Sequence, residues 1–107
     1  MSKSYLGEFE ELVLLVVAMM KDQAYGLMVC EEIKNQINRS TSIGAVHATI
    51  DRLEKKGFVE TFLGGSTKER GGRRKRLIRL TNEGRLILIK SRDEKLKMWT
   101  QIPELAI

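Results

Sequence analysis

One cysteine, one proline and one histidine stand among the 107 residues, and aromatic side chains make up only 6%. A lone Cys30 cannot close an internal disulfide, which agrees with a reducing compartment. One cysteine and one histidine also fall short of a recognisable zinc site. Long apolar segments are missing too. The longest unbroken apolar run is 12–20, nine residues, against the roughly 20 needed to cross a bilayer. It follows the acidic stretch GEFEE, whereas a secretory signal opens with a basic region. A cytoplasmic protein with no membrane partner is the expectation.

Catalytic signatures are equally scarce. Cys30, His47, Asp51 and Glu54 fall into no linear pattern of nucleophile, base and orienting group. Cys30 reads instead as a small apolar residue within a helix. The stretch ERGGRR lacks the spacing and the terminal Lys-Ser/Thr of a phosphate-binding loop. Neither an enzyme nor a cofactor is expected.

What is present is an ordinary globular composition, 42% hydrophobic and 31% charged, in a length that suits one small core. The formal charge of +5 is unevenly distributed. Lys68, Arg70, Arg73, Arg74, Lys75, Arg76 and Arg79 crowd one short stretch and are opposed there only by Glu69. Such a cluster forms a patch able to meet a polyanion.

Periodicity divides the chain. Residues 6–21 predict a helix with apolar residues on several sides, suiting a central position or a contact with a partner subunit. Acidic residues Glu8, Glu10 and Glu11 sit in its first turns, at the positive end of the helix. A second helix, from 24 or 25 to 37, places Leu27, Cys30, Ile33 and Ile37 on one face. Thr41 or Ser42 can cap a third helix over 43–56, whose inner face is Ile43, Val46, Ile50 and Leu53. Gly57 can end it in the left-handed conformation. FVETFL at 58–63 and KRLIRL at 75–80 read as antiparallel strands joined by a glycine-rich basic loop. Thr81 can cap a last helix over 82–101, with Leu86, Ile89, Leu96 and Trp99 on one side and Pro103 near its end.

The order predicts a mainly α fold with a small antiparallel β-hairpin, arranged as a winged helix-turn-helix. Residues 1–80 would form the DNA-binding domain and 81–107 a dimerisation helix and tail. A major groove about 12 Å wide admits one α-helix. Ser42, Gly44, Ala45 and Ala48 leave the start of the third helix small enough to approach base edges. His47 and Thr49 flank that surface, and Arg52 and Lys55 would reach phosphates or bases. His47, at the edge of the buried stripe, serves either as a contact or in packing. Arg73, Arg74 and Lys75 on the hairpin would neutralise the backbone.

The chain resembles the PadR-like transcriptional regulators, in their short form with one C-terminal helix. The likeness runs through LGEFEELVLL, AYG at 24–26, SIGAVHATIDRLEKKGFV at 42–59 and ERGGRRKRLIRLTNEG at 69–84. It departs at His47, where the family usually has tyrosine, and at Leu77 and Ile78, where it commonly has one or two. The resemblance implies a homodimeric repressor of a pseudopalindromic double-stranded operator, associated with the nucleoid when bound. It further implies relief by a small aromatic effector at the subunit seam. Phe9, Leu12 and Val13 of the first helix and Leu96 and Trp99 of the last are the expected lining. Trp99 is open to a dimer contact or to packing within its own chain. The reading from a different functional class is a protein-interaction module that binds no DNA.

Overall fold

Helix 1 (α1, Glu8–Met20) starts where the Glu10 side chain accepts from the Gly7 N–H at 2.9 Å, satisfying one of the helix's unpaired donors. The structure, a computed structural model, describes residues 5–66 and 74–105. After a short 3-10 turn at Lys21–Gln23 come α2 (Gly26–Ile37) and α3 (Ile43–Lys55). The hairpin strands are β1 (Val59–Ser66) and β2 (Arg74–Leu80), and α4 spans Asn82–Trp99. The fold is mainly α-helical with a small antiparallel hairpin, in winged helix-turn-helix order.

Two caps choose the helix starts. Ser42 Oγ accepts from the Ala45 N–H at 3.0 Å, and Thr81 Oγ1 does the same for the Gly84 N–H at 3.0 Å. Of the two residues able to cap α3, Ser42 is the one that does. Asn38 ends α2 in the left-handed conformation, with φ 55°. Gly57 plays that part after α3, at φ 83°.

One core joins all the elements. Val13, Leu14, Val17, Val29, Ile33, Val46, Ile50 and Leu53 are fully buried, and Phe58, Val59 and Ile78 close the core beneath the hairpin. Helix α1 packs against α2, α3, β2 and α4, the central position that its all-round apolarity predicts. The face of α2 needs correction. Gly26, Val29 and Ile33 point inward, while Leu27 and Ile37 are exposed and Cys30 is half-buried. In α3, Ile43 is exposed and Thr49 takes an inner place beside Val46, Ile50 and Leu53. The α2 face is rotated by about one residue, whereas α3 keeps Val46, Ile50 and Leu53 inside and only exchanges Ile43 for Thr49. Each helix fits its two neighbours, and short patterns leave that choice undecided.

The register pairs Val59 with Leu80 and Thr61 with Ile78, with an irregularity between Leu63 and Ser66. A contact absent from the sequence reading adds a third pairing at the root of the hairpin. Ala24 bridges Ile78, whose N–H donates to the Ala24 carbonyl at 2.9 Å. The entry to α2 is thereby tied to β2. At the other side of the root, Thr81 donates its hydroxyl to the Gly57 carbonyl and its N–H to the Phe58 carbonyl. Helix α4 comes so close there that a Cβ on Gly84 would lie 2.1 Å from the Phe58 oxygen.

Candidate nucleic-acid interface

The start of α3 presents a bare surface. Gly44, Ala45 and Ala48 are exposed, and a Cβ on Gly44 would meet nothing within 4 Å. The glycine is therefore not demanded by packing inside the protein. Ser42 is exposed at the cap. His47 is half-buried, its ring set against Gly26 so closely that a Cβ there would lie 2.7 Å from His47 Cε1. Packing thus accounts for part of the His47 ring.

Thr49, expected on the outer surface, is 1% exposed. Its Oγ1 accepts from Arg52 Nη2 at 3.0 Å. It leaves the set of available contact residues, because a β-branched hydroxyl at this angle fills the α3–core boundary. Arg52 is drawn the same way, with its Nε 3.4 Å from Glu10 Oε2. Lys55 is exposed.

Glu10 gathers the cations at the end of α3. Lys56 Nζ lies 2.8 Å from Oε1 and 3.1 Å from Oε2 of this buried carboxylate. Burial alone would raise the Glu10 pKa. The Lys56 and Gly7 hydrogen bonds, the Lys56 charge and the Arg52 hydrogen bond outweigh it, holding the pKa below the ordinary value. One acidic residue of α1 therefore fixes two basic residues belonging to the α3 end.

The hairpin brings further cations. Lys75 Nζ sits 4.7 Å from the centroid of the Tyr25 ring, so a residue expected at the DNA backbone also packs on the start of α2. Arg76 pairs with Asp51 and Glu54 of α3. Arg79 lies over the Phe62 ring at 4.2 Å and reaches Asp22 and Glu60. Arg74 is placed through its strand pairing with Ser66. Arg73 lies outside the described residues, as do Gly71 and Gly72 of the loop.

A second surface lies between α1 and α4. Leu15, Leu88, Ile89, Leu96 and Trp99 line an open groove of about 440 Å³, with Glu11, Arg92 and Lys95 on its rim. Leu96 is 43% exposed and Trp99 47%. Val13, expected to line a seam with them, is 0% exposed and belongs to the core. Phe9 and Leu12 are half-buried against that core, and Arg39 lies 5.1 Å from the Phe9 ring centroid. The apolar residue of α1 that lines the groove is Leu15, one helical turn beyond Glu11. The several apolar faces of α1 left the choice among Leu12, Val13 and Leu15 undecided in the sequence. Glu11 also bonds Ser91 at 2.9 Å and Lys95, tying α1 to α4.

Among the described residues, no group of three or more His, Cys, Asp and Glu side chains could hold a metal ion. None of their helices is long and apolar enough to cross a membrane.

A helix-turn-helix with a bare third helix and a basic hairpin matches a known family. The model of the transcriptional regulator PadR-like family fits residues 13–90. The chain belongs to the PadR-like family. It is therefore a DNA-binding transcriptional regulator and not an enzyme. No curated protein matches the sequence.

Solved structures agree on the fold. A PadR-like transcriptional regulator from Bacillus cereus is 18% identical with a TM-score of 0.73, over 91% of this chain and 89% of that one. A PadR family regulator from Clostridium difficile is 19% identical with a TM-score of 0.71, over 90% and 96%. The RosR protein of H. salinarum is 23% identical with a TM-score of 0.69, over 90% and 79%.

Proposed function

We propose that this PadR-like chain is a homodimeric repressor of a pseudopalindromic operator. Each protomer would place α3 in a major groove and its hairpin against the flanking backbone. The observation that carries this reading is the exposed, small-residue start of α3 standing beside a hairpin rich in cations. Gly44, Ala45 and Ala48 allow close approach to bases, and alanine methyls suit thymine methyls. Ser42, His47, Arg52 and Lys55 border that surface. Arg73, Arg74 and Lys75 supply phosphate contacts as a group.

Residues 1–80 act as the DNA-binding unit and 81–107 as the dimerisation element. The exposed apolar side of α4 supports that division, because Leu96 and Trp99 would be covered by a second copy. A flat aromatic effector fits the same groove, stacked on Trp99, and would relieve repression if it binds the DNA-free state more tightly. The protein works in the cytoplasm, on the nucleoid when bound.

Footprinting on genomic fragments, including the gene's own upstream region, tests the reading. Two related half-sites separated by about 34–36 Å, one helical turn, are expected. Ala48→Glu should abolish protection while leaving helicity and oligomeric state unchanged. Uniform binding without a protected site, or full protection by that variant, would overturn the assignment.

A further inference from the structure

Two carboxylates stand exposed on the helix that reads DNA, where simple electrostatics makes them unwelcome to a polyanion. Asp51 and Glu54 lie one turn apart on α3. Both face the hairpin. Arg76 Nη2 of β2 lies 2.9 Å from Asp51 Oδ1 and 3.4 Å from Glu54 Oε1. The other oxygen of Glu54 accepts from Thr61 Oγ1 of β1 at 2.8 Å. Glu54 thus holds both strands, and Asp51 and Glu54 share one guanidinium.

The position of this clamp along the hairpin matters. Its root is held by burial of Val59 and Ile78 and by the Ala24 bridge. Further out, Leu63 opposite Arg76 is exposed, so burial there gives less hold on the strands. A two-stranded ribbon twists readily, and a small rotation at that level swings the outer arm that carries the Ser66–Arg74 pairing. The clamp fixes the arm against α3 from one side, and Lys75 on the Tyr25 ring steadies it from α2.

We propose that Asp51 and Glu54 are wing-positioning residues: through Arg76 and Thr61 they set the angle between the hairpin and α3, and so promote DNA binding. The inference rests on α3 and the hairpin both meeting the duplex. It reverses what charge alone predicts. Replacing two acids with amides removes two negative charges from the surface, and unassisted electrostatics then favours tighter binding with a steeper salt dependence. Loss of the clamp frees the hairpin from its angle and removes phosphate contacts.

The decisive variant is Asp51→Asn with Glu54→Gln, compared with the wild-type chain on a short random-sequence duplex and on its footprinted fragment. Affinity should fall about three- to tenfold on both. The slope of log affinity against log salt should become shallower, since fewer phosphates are neutralised. Circular dichroism and sedimentation establish that fold and oligomeric state are retained. Should the double variant misfold, Asp51→Asn alone gives the same reading, because it removes the charge from the closest partner of Arg76. Arg76→Lys keeps a cation between the carboxylates and should recover most of the affinity that Arg76→Gln loses. Equal or tighter binding by the acid-neutralised variant, or an unchanged or steeper salt slope, would overturn the proposal. In that event protection by the wild-type chain leaves its reading as a repressor standing, whereas failure of the wild-type chain to protect any fragment removes both.

Discussion

In α3 the large residues Val46, Ile50 and Leu53 are fully buried, whereas in α4 Leu86, Ile89, Leu96, Met98 and Trp99 all remain exposed. Only Gly84 and Ile87 of α4 are buried. Both helices carry large apolar side chains, but α3 gathers them on one face while α4 disperses them among more charged residues. Their neighbours differ as well. Helix α3 is wedged between α1, α2 and β1, while α4 touches the rest of the chain chiefly through α1 and the hairpin root. Its 18 residues extend roughly 27 Å, and most of that length has one neighbour on one side. The helix-turn-helix is complete within one chain. The α4 face is left uncovered, and the proposed dimer would cover it.

That contrast can be broken most directly in the core. Leu53→Ala should destabilise the fold by about 2–5 kcal/mol, because removal of its methyl groups leaves a cavity among fully buried neighbours. Leu96→Ala should alter the unfolding of dilute protein by less than about 0.5 kcal/mol, as an exposed substitution does. Denaturant titrations of the two variants should therefore separate clearly. Equal losses would mean that α4 is as integral to a single chain as α3.

Trp99→Ala addresses the other half of the comparison. Truncating a large aromatic at an interface centre costs about 2 kcal/mol or more, some thirtyfold in dissociation constant. Sedimentation equilibrium should show dimers dissociating at correspondingly lower dilution. Wild-type dimerisation by this variant would remove Trp99 from the seam, and with it the predicted effector platform.

The smallest effect concerns Glu10, which ties α1 to the end of α3. Its folded pKa lies below its ordinary value, so the charged form is the one that the fold favours. The resulting stabilisation is complete above the unfolded glutamate pKa, about 4.3, and disappears as pH falls through the lower folded value. Glu10→Gln should therefore be less stable than wild type near neutral pH and lose less stability on acidification. Thermal unfolding across the acid range checks this. Parallel pH profiles would show that Glu10 contributes nothing through its charge.

The pattern of residues carried the element order well. Spacings of three and four in α3, the capping hydroxyls of Ser42 and Thr81 and the turn at Gly57 are local signals, and local hydrogen bonds obey them. The strands were legible because β-branched and aromatic residues interrupt the helical period. Rotational details were not. Leu27 and Ile37 looked internal because their spacing fits one face of a helix, but the tight contact at Gly26 and the burial of Val29 turn α2 by about one position. Thr49 turned inward for a related reason, and Val13 was lost to the core because α1 has more than one apolar face. The exposed start of α3 was readable as the small-residue side opposite Val46, Ile50 and Leu53.

Sequence by itself determined the order of helices and strands and the caps that start α3 and α4, and that cations gather on the hairpin, although β1 runs on to Ser66 rather than ending at 63. These properties depend on backbone propensity, caps and covalent neighbours, all of which act over a few residues. Tertiary structure decided which cations are held by partners. Arg52 and Lys56 meet Glu10 across more than forty positions of sequence, and Arg76 meets Asp51 and Glu54 only after the hairpin folds back on α3. Charge acts through space, and the distances that set its strength do not exist until the chain has folded.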